Sequence, residues 1–375
     1  MPNGSIFWPL SAAILLAGSS ASLGAGGGLG RGDNSRGRPT DDFGIEFVRI
    51  GAPRNRAALP EERFYNQRFE DLGAVGYRYR MAKTEVTASQ WVGFVNAYDP
   101  YWVAAGGSRL SSGFTGGWLS PSTLDPNQAA TYAIATGAER LAVKVSWRVA
   151  ATYCNWLHNG QVNEAWAFQS GAYDVSTFGG STQDGYTDQP ERSPGARFWI
   201  PNVDEWTKAA HYDPNRYGEG EEGYWLRMGS QNDPLTPGLP ENGGQTNGGD
   251  FLPGFGEQFM HVGSYPHVGG PWGVLDTSGG VQEWTETVRS FHDDGVLHSG
   301  RRYVLGSQAG DSGYDDKDLI DWYFTAGGPS LERFGIRLAS MIPSPGSAGI
   351  VLLFASASLA RRGSWAKDCR RVAGV

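Results

Sequence analysis

The most distinctive chemistry in this sequence is an acid beside an indole at the end of a glycine-rich loop. Residues 273–285 read GVLDTSGGVQEWT, and Glu283 directly precedes Trp284. Glycine allows backbone angles that other residues avoid, so we expect a tight loop here. A carboxylate in a buried, aromatic setting is costly unless a partner compensates it. That partner could be a set of loop amides, or a hard cation such as calcium.

Oxygen-bearing side chains elsewhere in the chain could complete such a cation site. Residues 215–270 are rich in Gly, Pro, Asn and Asp, and Asn247 and Asp250 lie there beside glycines. Because calcium takes carboxylate and amide oxygens, we predict Glu283, Asn247 and Asp250 as a structural calcium site. Ordinary turn chemistry explains each Asn or Asp more simply when it is considered alone.

Two further groups of residues could support metal or thiol chemistry. Residues 291–295 read FHDDG and His298 follows, which places two histidines and two aspartates within seven residues. Such a cluster could bind a metal, but no third well-placed ligand accompanies it. Cys154 has His158 one helical turn later, and a nearby base can activate a thiol. A free cysteine is more commonly a small buried hydrophobe.

Three helices are expected to organise these residues. Thr87 is followed three residues later by Gln90, which predicts a helix that begins with a capping box. Asn202 and Glu205 predict a second helix of the same kind. Residues 143–159 predict a third helix, because Val, Tyr and Trp recur there along one helical face.

Alternating apolar and polar residues predict short strands between and after the helices. These strands are Phe43–Ile50, Val75–Met81, Phe198–Ile200, Arg302–Ser307 and Phe334–Ser340. Three stretches have little periodicity and many turn-forming residues, and we predict loops for 101–140, 160–196 and 215–270. The pattern is that of a loop-rich α+β fold.

The bulk composition also indicates a folded, loop-rich protein. The 375 residues include 55 Gly and 14 Trp, and 13% are aromatic, whereas a disordered chain would lack aromatics. The formal net charge of −8 argues against nucleic acid as a partner, because phosphate binding needs a basic face. The two cysteines, Cys154 and Cys369, lie far apart and do not indicate a disulfide framework.

Both ends of the chain have features of exported proteins. Residues 1–25 contain the apolar run IFWPLSAAILLAG and are predicted to be a signal peptide. Residues 26–42 are rich in Gly and Arg, which predicts a flexible linker. Near the other end, the run SAGIVLLFASASLA has about 14 apolar or small residues. That run is short for a stable membrane span, which needs about 20 residues.

The last segment, 341–375, resembles the PEP-CTERM sorting tail of exported bacterial proteins. A Pro-Gly pair, a short apolar helix and Arg361-Arg362 carry the resemblance. Ser344 stands where that family has Glu, and residues 363–375 extend past the arginine pair. The resemblance implies an exosortase-type sorting machinery as partner and transient membrane association or anchoring. It places the protein in the periplasm, on the outer surface or in the extracellular matrix of a Gram-negative-type bacterium.

Four segments in the middle of the chain have the order and spacing of a second known family. They are AKTEVTASQWVGFVNA, VSWRVAATYCNWLHN, RFWIPNVDEWTKAAHYDP and GVLDTSGGVQEWTE, with FGIRLAS after them. Residues 43–340 thereby resemble the sulfatase-modifying-factor family, which shares its domain with formylglycine-generating enzyme. The resemblance implies an irregular α+β fold related to C-type lectins, with few short helices and strands.

The oxidase chemistry of that family does not carry over to this sequence. Formylglycine-generating members use two cysteines shortly before the closing Gly-Phe-Arg to bind copper and oxidise a substrate cysteine. The corresponding residues 306–334 contain no cysteine, so copper is not expected. Family members bind calcium partly through the Asn of a Gly-Asn-x-Trp-Glu-Trp motif. Gly280 takes that position here, while Glu283 is retained.

We therefore expect an exported binding or structural surface module without formylglycine-generating activity. Its former active cleft would be lined by Trp322, Tyr323, Asp311 and Asp315. By analogy of fold alone, the ligand would be a peptide or a glycan.

The alternative is an enzyme. A divergent metal-dependent oxidase could act on a protein or a small molecule and hold its metal with His292, Asp293 and His298.

Overall fold

The computed structural model describes residues 42–65, 69–247, 259–293, 296–309, 317–326 and 328–343. The described helices are α1 Ala88–Ala104, α2 Ser112–Thr115, α3 Trp147–His158, α4 Ala165–Gln169 and α5 Val203–His211. None of these helices is long and apolar enough to cross a membrane. The predicted signal peptide, most of the linker and the tail from residue 344 lie outside the described residues.

The strands are mostly short and belong to small antiparallel sheets. In chain order they are β1 Phe47–Ile50, β2 Tyr79–Ala82, β3 Leu119–Pro121, β4 Tyr132–Ile134, β5 Gly180–Ser181, β6 Gly185–Tyr186, β7 Phe198–Trp199, β8 Tyr212–Gly218, β9 Glu221–Tyr224, β10 Glu283–Asp293, β11 Val296–Leu305, β12 Phe324–Thr325 and β13 Ala339–Ser340. This mixture of few helices and many short strands confirms the predicted loop-rich α+β class.

Helix α1 begins where its capping box predicts. Gln90 N donates a hydrogen bond to Thr87 Oγ1 at 3.4 Å, and Thr87 N donates one to Gln90 Oε1 at 3.0 Å. Trp91 and Phe94 are fully buried and contact Tyr153 of α3, with ring centroids 4.8 and 5.3 Å apart. Aromatic packing between α1 and α3 therefore forms one side of the core.

Helix α5 is capped in the same way. Glu205 N donates to Asn202 Oδ1 at 2.8 Å, and Asn202 N donates to Glu205 Oε2 at 2.9 Å. These reciprocal bonds satisfy amides that the first helical turn would otherwise leave without partners. The cap also fixes the position of Trp206, which is buried and faces the glycine-rich loop.

A four-stranded sheet unites segments from both ends of the described chain. Its strand order is β1-β2-β13-β7, and every neighbouring pair is antiparallel. Ala339 of β13 pairs with Met81 on one side and with Trp199 on the other. The closing segment of the domain is thus held between two strands from much earlier in the chain.

Arg80 connects the first and last described segments at the edge of this sheet. Its guanidinium donates to Asp42 Oδ2 at 2.9 Å and to Ser340 Oγ at 2.6 and 2.9 Å. Its Nε also donates to the carbonyl of Met341 at 3.2 Å. The points where the chain enters and leaves the described domain are therefore neighbours.

Strands β10 and β11 form a long hairpin, and β12 pairs with β11. Trp284, Arg302 and Val304 are completely buried on the core side of this sheet. The indole Trp284 Nε1 donates to the carbonyl of Val145 at 2.9 Å, which links the hairpin to the start of α3. The opposite side of the sheet carries arginines and aromatic rings.

The three stretches predicted as loops contain short regular elements, and the prediction was wrong at those elements. Residues 101–140 contain the end of α1, helix α2 and the β3–β4 hairpin. Residues 160–196 contain α4 and the β5–β6 hairpin. The β8–β9 hairpin extends into 215–270. Elements this short give too little periodicity for a sequence pattern to reveal them.

Candidate functional site

Glu283 is buried in the core, and its partner is an arginine. The side chain of Glu283 is 1% exposed. Arg337 Nη2 donates to Glu283 Oε1 at 2.8 Å and Arg337 Nε donates to Oε2 at 3.0 Å. Trp206 Nε1 donates to Oε2 at 2.8 Å. This two-pronged contact is the strong form of an arginine–carboxylate pair, and the sequence reasoning did not foresee it.

Arg337 also binds two backbone carbonyls from other segments. Its Nη1 donates to Ala82 O at 3.0 Å and its Nη2 donates to Leu275 O at 2.8 Å. These bonds attach the closing Arg to β2 and to the glycine-rich loop, while Glu283 attaches it to β10. The pair therefore stabilises the centre of the domain by joining three segments distant in sequence.

Two more buried carboxylates lie near this single guanidinium. Glu85 Oε2 is 4.0 Å from Arg337 Nη2, and among the described residues it has no hydrogen-bond partner. Burial, reinforced by the negative charge of Asp276, holds the pKa of Glu85 well above its usual range. Burial also raises the pKa of Asp276 to about 6. Three acids thus lie near one arginine, and the raised pKa values of Glu85 and Asp276 favour the protonated forms of these two side chains.

The predicted calcium ligands are placed as follows. Both oxygens of Glu283 accept hydrogen bonds from Arg337 or Trp206, and Asn247 Oδ1 accepts one from Gly280 N at 2.9 Å. Asp250 lies outside the described residues. Within the described ranges, no group of three or more His, Cys, Asp or Glu side chains could hold a metal ion. Both oxygens of Glu283 already have donors, which does not fit a calcium ligand. A calcium site formed by Glu283, Asn247 and Asp250 has not been tested and stays a prediction.

Gly280 occupies a position that no larger residue could take without moving Glu85. Its φ of +63° lies in the left-handed region, and a Cβ there would lie 2.4 Å from Glu85 Oε1. The resemblance places Asn at this position in the family. In this chain, the glycine lets the loop backbone approach the buried carboxylate closely.

The structure places two of the four predicted cleft residues. Lys317 Nζ lies 5.9 Å from the ring centroid of Trp322. Tyr323 packs against Tyr303 at 4.9 Å and against Phe69 at 5.4 Å between ring centroids. Asp311 and Asp315 lie outside the described residues. Tyr323 is partly buried and thus belongs, with Tyr303, to the side of the β10–β11–β12 sheet opposite Arg302 and Val304.

On that side of the sheet, arginines lie over aromatic rings. We define the arginine–aromatic face as Arg289, Phe291, Arg301, Tyr303 and Tyr323. The guanidinium carbon of Arg289 is 4.6, 5.8 and 5.2 Å from the ring centroids of Phe291, Tyr303 and Tyr323. That of Arg301 is 5.2 Å from Phe291. Of this set, only Tyr323 was predicted from the sequence as a cleft residue, although the alternation in 289–291 and 301–303 was readable.

A separate cleft of about 690 Å³ is walled by a closed network of charges. Arg192 Nη2 bonds Glu205 Oε1 at 3.0 Å and Nη1 bonds Glu286 Oε2 at 2.8 Å. The same guanidinium lies 4.2 Å from the ring centroid of Trp199, and its Nη2 bonds Tyr77 Oη at 2.7 Å. Because these groups satisfy one another, the network stabilises the cleft wall. No local pattern in the sequence indicates this network, because its partners come from distant segments.

Cys154 is completely buried on α3, as the interpretation of a small core residue predicts. Burial and the negative charge of Glu286 hold the pKa of the Cys154 thiol well above its usual range. His158 Nδ1 accepts a hydrogen bond from Arg197 N at 3.1 Å. The thiol is therefore protonated and shielded, which opposes a role as nucleophile or metal ligand.

His298, one of the proposed metal ligands, contacts the arginine–aromatic face. Arg301 Nη2 lies 2.8 Å from His298 Nδ1, and the imidazole stacks on Phe291 with centroids 5.1 Å apart. The side chains of His292 and Asp293 lie outside the described ones. A metal site built on these three residues stays a prediction.

Comparison with solved structures found several distant likenesses. The solved structure of CarF is 17% identical, with a TM-score of 0.44, and the match covers 80% of this chain and 100% of that one. Variable protein 1 of Treponema denticola is 18% identical, with a TM-score of 0.46 and coverage of 80% and 97%. PvdO from Pseudomonas aeruginosa is 16% identical, with a TM-score of 0.38 and coverage of 80% and 92%. No curated protein matches the chain.

The family comparison covers most of the sequence. The sulfatase-modifying factor enzyme 1-like domain matches residues 73–372. Those residues include both capping-box helices, the Glu283–Arg337 pair and the β10–β11 hairpin. The chain therefore belongs to the sulfatase-modifying factor enzyme 1-like family.

Proposed function

We propose that this protein is an exported binding or structural module that lacks formylglycine-generating oxidase chemistry. The observation that carries the proposal is the absence of cysteine from residues 306–334, the segment that holds the cysteine pair of the oxidases. Copper in such a site needs thiolate ligands, and the substrate thiol needs a metal centre to be oxidised. A domain without those thiols retains its scaffold and loses its metal ligands.

The two cysteines of the chain do not replace the missing pair. Cys154 is buried on α3, where its raised pKa keeps the thiol protonated. Cys369 lies in the C-terminal extension, more than 30 residues after the segment of interest. A pair of thiolates on one copper ion would require both in one place, so these residues support the same proposal.

The oxidase part of the proposal is tested by direct assay of the full chain. The purified protein is loaded with copper and incubated under oxygen with a peptide that carries a substrate cysteine. Mass spectrometry of the peptide is expected to show no conversion of cysteine to formylglycine. After unbound metal is removed from the same sample, elemental analysis is expected to show neither copper nor iron in near-stoichiometric amount.

Formylglycine in the product would overturn this proposal. The variants Cys154→Ser and Cys369→Ser then identify the thiol involved, because each removes one sulfur and leaves the other. Near-stoichiometric copper or iron would likewise support the divergent oxidase and would direct attention to residues 291–298.

Export and sorting form the second part of the proposal, supported by the signal-like residues 1–25 and the PEP-CTERM-like segment 341–375. An exosortase-type machinery would act on the tail. Fractionation of bacteria that express the chain with an internal tag is expected to place it in the periplasm, membrane or medium. Recovery of all the protein from the cytoplasm would contradict export.

A further inference from the structure

The arginine–aromatic face contains two arginines that have no acidic partner among the described side chains. Arg289 and Arg301 pair directly across the β10–β11 ladder. Arg289 Nη1 donates to Thr325 Oγ1 at 2.5 Å, and Arg301 Nη2 contacts His298 Nδ1 at 2.8 Å. Neither guanidinium forms an ion pair with any carboxylate in the described part of the chain. Like charges directly opposite one another destabilise a sheet, so this placement calls for a compensating anion.

Several other buried or half-buried arginines in the same molecule bond carboxylates. Arg192 bonds two carboxylates, and Arg337 bonds Glu283 at the centre of the core. Acids outnumber basic side chains, 39 to 31, so carboxylates are plentiful. On an acidic protein, a face where two adjacent guanidiniums meet none of the described carboxylates is suited to an external anion.

The rings beneath the guanidiniums determine how they can bind. A guanidinium that lies over an aromatic ring is held by the ring face, while its N–H edge remains suited to acceptors in its own plane. Carboxylate and sulfate groups match that edge with two parallel hydrogen bonds. The rings of Phe291, Tyr303 and Tyr323 are partly exposed and add apolar surface beside Arg289. A ligand for this face needs regularly placed anions joined by rigid, partly apolar units.

We infer that the arginine–aromatic face binds an acidic polysaccharide. Its carboxylate or sulfate groups pair with Arg289 and Arg301, and the apolar faces of its sugar rings pack against the aromatic edges. An acidic peptide offers the anions without the rigid apolar rings. The inference rests on the proposed function as a binding module and names the ligand class of the surface that includes the predicted cleft residue Tyr323.

The net charge of −8 affects how binding of a polyanion should depend on salt. The acidic protein as a whole repels a polyanion, so attraction is confined to this face and is reduced by salt. Binding should therefore be strong only at low ionic strength and should depend steeply on each of the two arginines.

Affinity electrophoresis of the full chain tests the inference. Native gels contain polygalacturonate, dextran sulfate, neutral dextran or double-stranded DNA, and retardation is measured against polymer concentration. We expect retardation by polygalacturonate or dextran sulfate and none by neutral dextran. Retardation by polygalacturonate alone would show that carboxylates are the recognised groups, and retardation by dextran sulfate alone would show that sulfates are. Arg289→Gln and Arg301→Gln should each weaken retardation about tenfold, because each removes a charge-assisted hydrogen-bond pair.

A matched control separates this face from the effect of net charge. Arg216 lies over Trp225 at 3.6 Å and Tyr217 at 5.0 Å, so Arg216→Gln also removes one ring-stacked guanidinium from elsewhere. We expect Arg216→Gln to bind like the wild type. Thermal unfolding checks that each variant folds. A double variant, Arg289→Gln/Arg301→Gln, should lose binding altogether, and if it does not fold, the binding of the two single variants tests the inference.

Four results would overturn the inference. They are no retardation by either acidic polymer, equal retardation by neutral dextran, equal retardation by DNA, and unchanged binding by the folded arginine variants. These results concern polymer binding only, whereas the proposed function is overturned by formylglycine in the peptide assay. Failure of the inference can therefore be distinguished from failure of the proposed function.

Discussion

Replacement of Glu283 by glutamine tests the central energetic role assigned to the Glu283–Arg337 pair. The change keeps the shape of the side chain and removes its charge. Arg337, 0% exposed at its side chain, would then be left with Glu85 at 4.0 Å as its nearest acid. Removing one partner of a buried pair typically costs about 3–5 kcal/mol, because the other charge stays buried without compensation.

Urea unfolding followed by tryptophan fluorescence measures this cost. With an m-value of about 3 kcal/mol per molar urea, the expected loss lowers the midpoint by about 1 M or more. The matched control is Glu46→Gln, which breaks the pair with Lys83 at 2.9 Å while the Glu46 side chain is 71% exposed. That surface pair should contribute at most about 1 kcal/mol.

A double variant then tests the coupling itself. Glu283→Leu with Arg337→Met replaces both charges by apolar groups of similar volume, which is often neutral or stabilising relative to the intact pair. We expect the double variant to be more stable than either Glu283→Leu or Arg337→Met alone. The reasoning is refuted if Glu283→Gln costs no more than Glu46→Gln, or if the two single losses simply add.

Two other predictions concern the acids and glycines around this pair. The pKa of Asp276 is raised from 3.8 to about 6, so the folded state holds that proton more tightly. The resulting contribution to folding stability, about 3 kcal/mol, is complete below about pH 4 and is lost as the pH rises through about 6. Asp276→Asn should flatten this part of the curve of stability against pH, measured by urea unfolding. Gly280→Ala should cost more than Gly273→Ala, because both glycines have positive φ but only the Gly280 Cβ would meet an atom, Glu85 Oε1 at 2.4 Å. The excess should shrink in a Glu85→Ala background, and an equal cost in both backgrounds would contradict the assigned clash.

The sequence predicted those features that depend on neighbours within one helical turn. The caps at Thr87 and Asn202 follow from residues three positions apart, and both formed as expected. The buried state of Cys154 follows from its apolar helical neighbours. Local rules were sufficient here because the interacting groups are fixed relative to each other as soon as the helix forms.

The partners that tertiary structure brings together were beyond such rules. Glu283 and Arg337 are 54 positions apart, and Arg192 and Glu286 are 94 apart. The sequence contains several arginines and amides that could pair with each acid. The order of strands in the folded sheets determines which of them lies close enough to do so. The arginine–aromatic face was missed for a similar reason, because its cross-strand register joins two strands whose facing sides the sequence alone did not define.

The contact of Arg80 with Asp42 and Ser340 has a consequence for attachment. Because the first and last described segments meet there, an anchor at either end of the chain would hold the domain by the same edge. Cleavage of one anchor would leave the domain attached at that same edge. The domain could likewise be spliced into a surface loop of a host protein, with Arg80 closing the gap between its two ends.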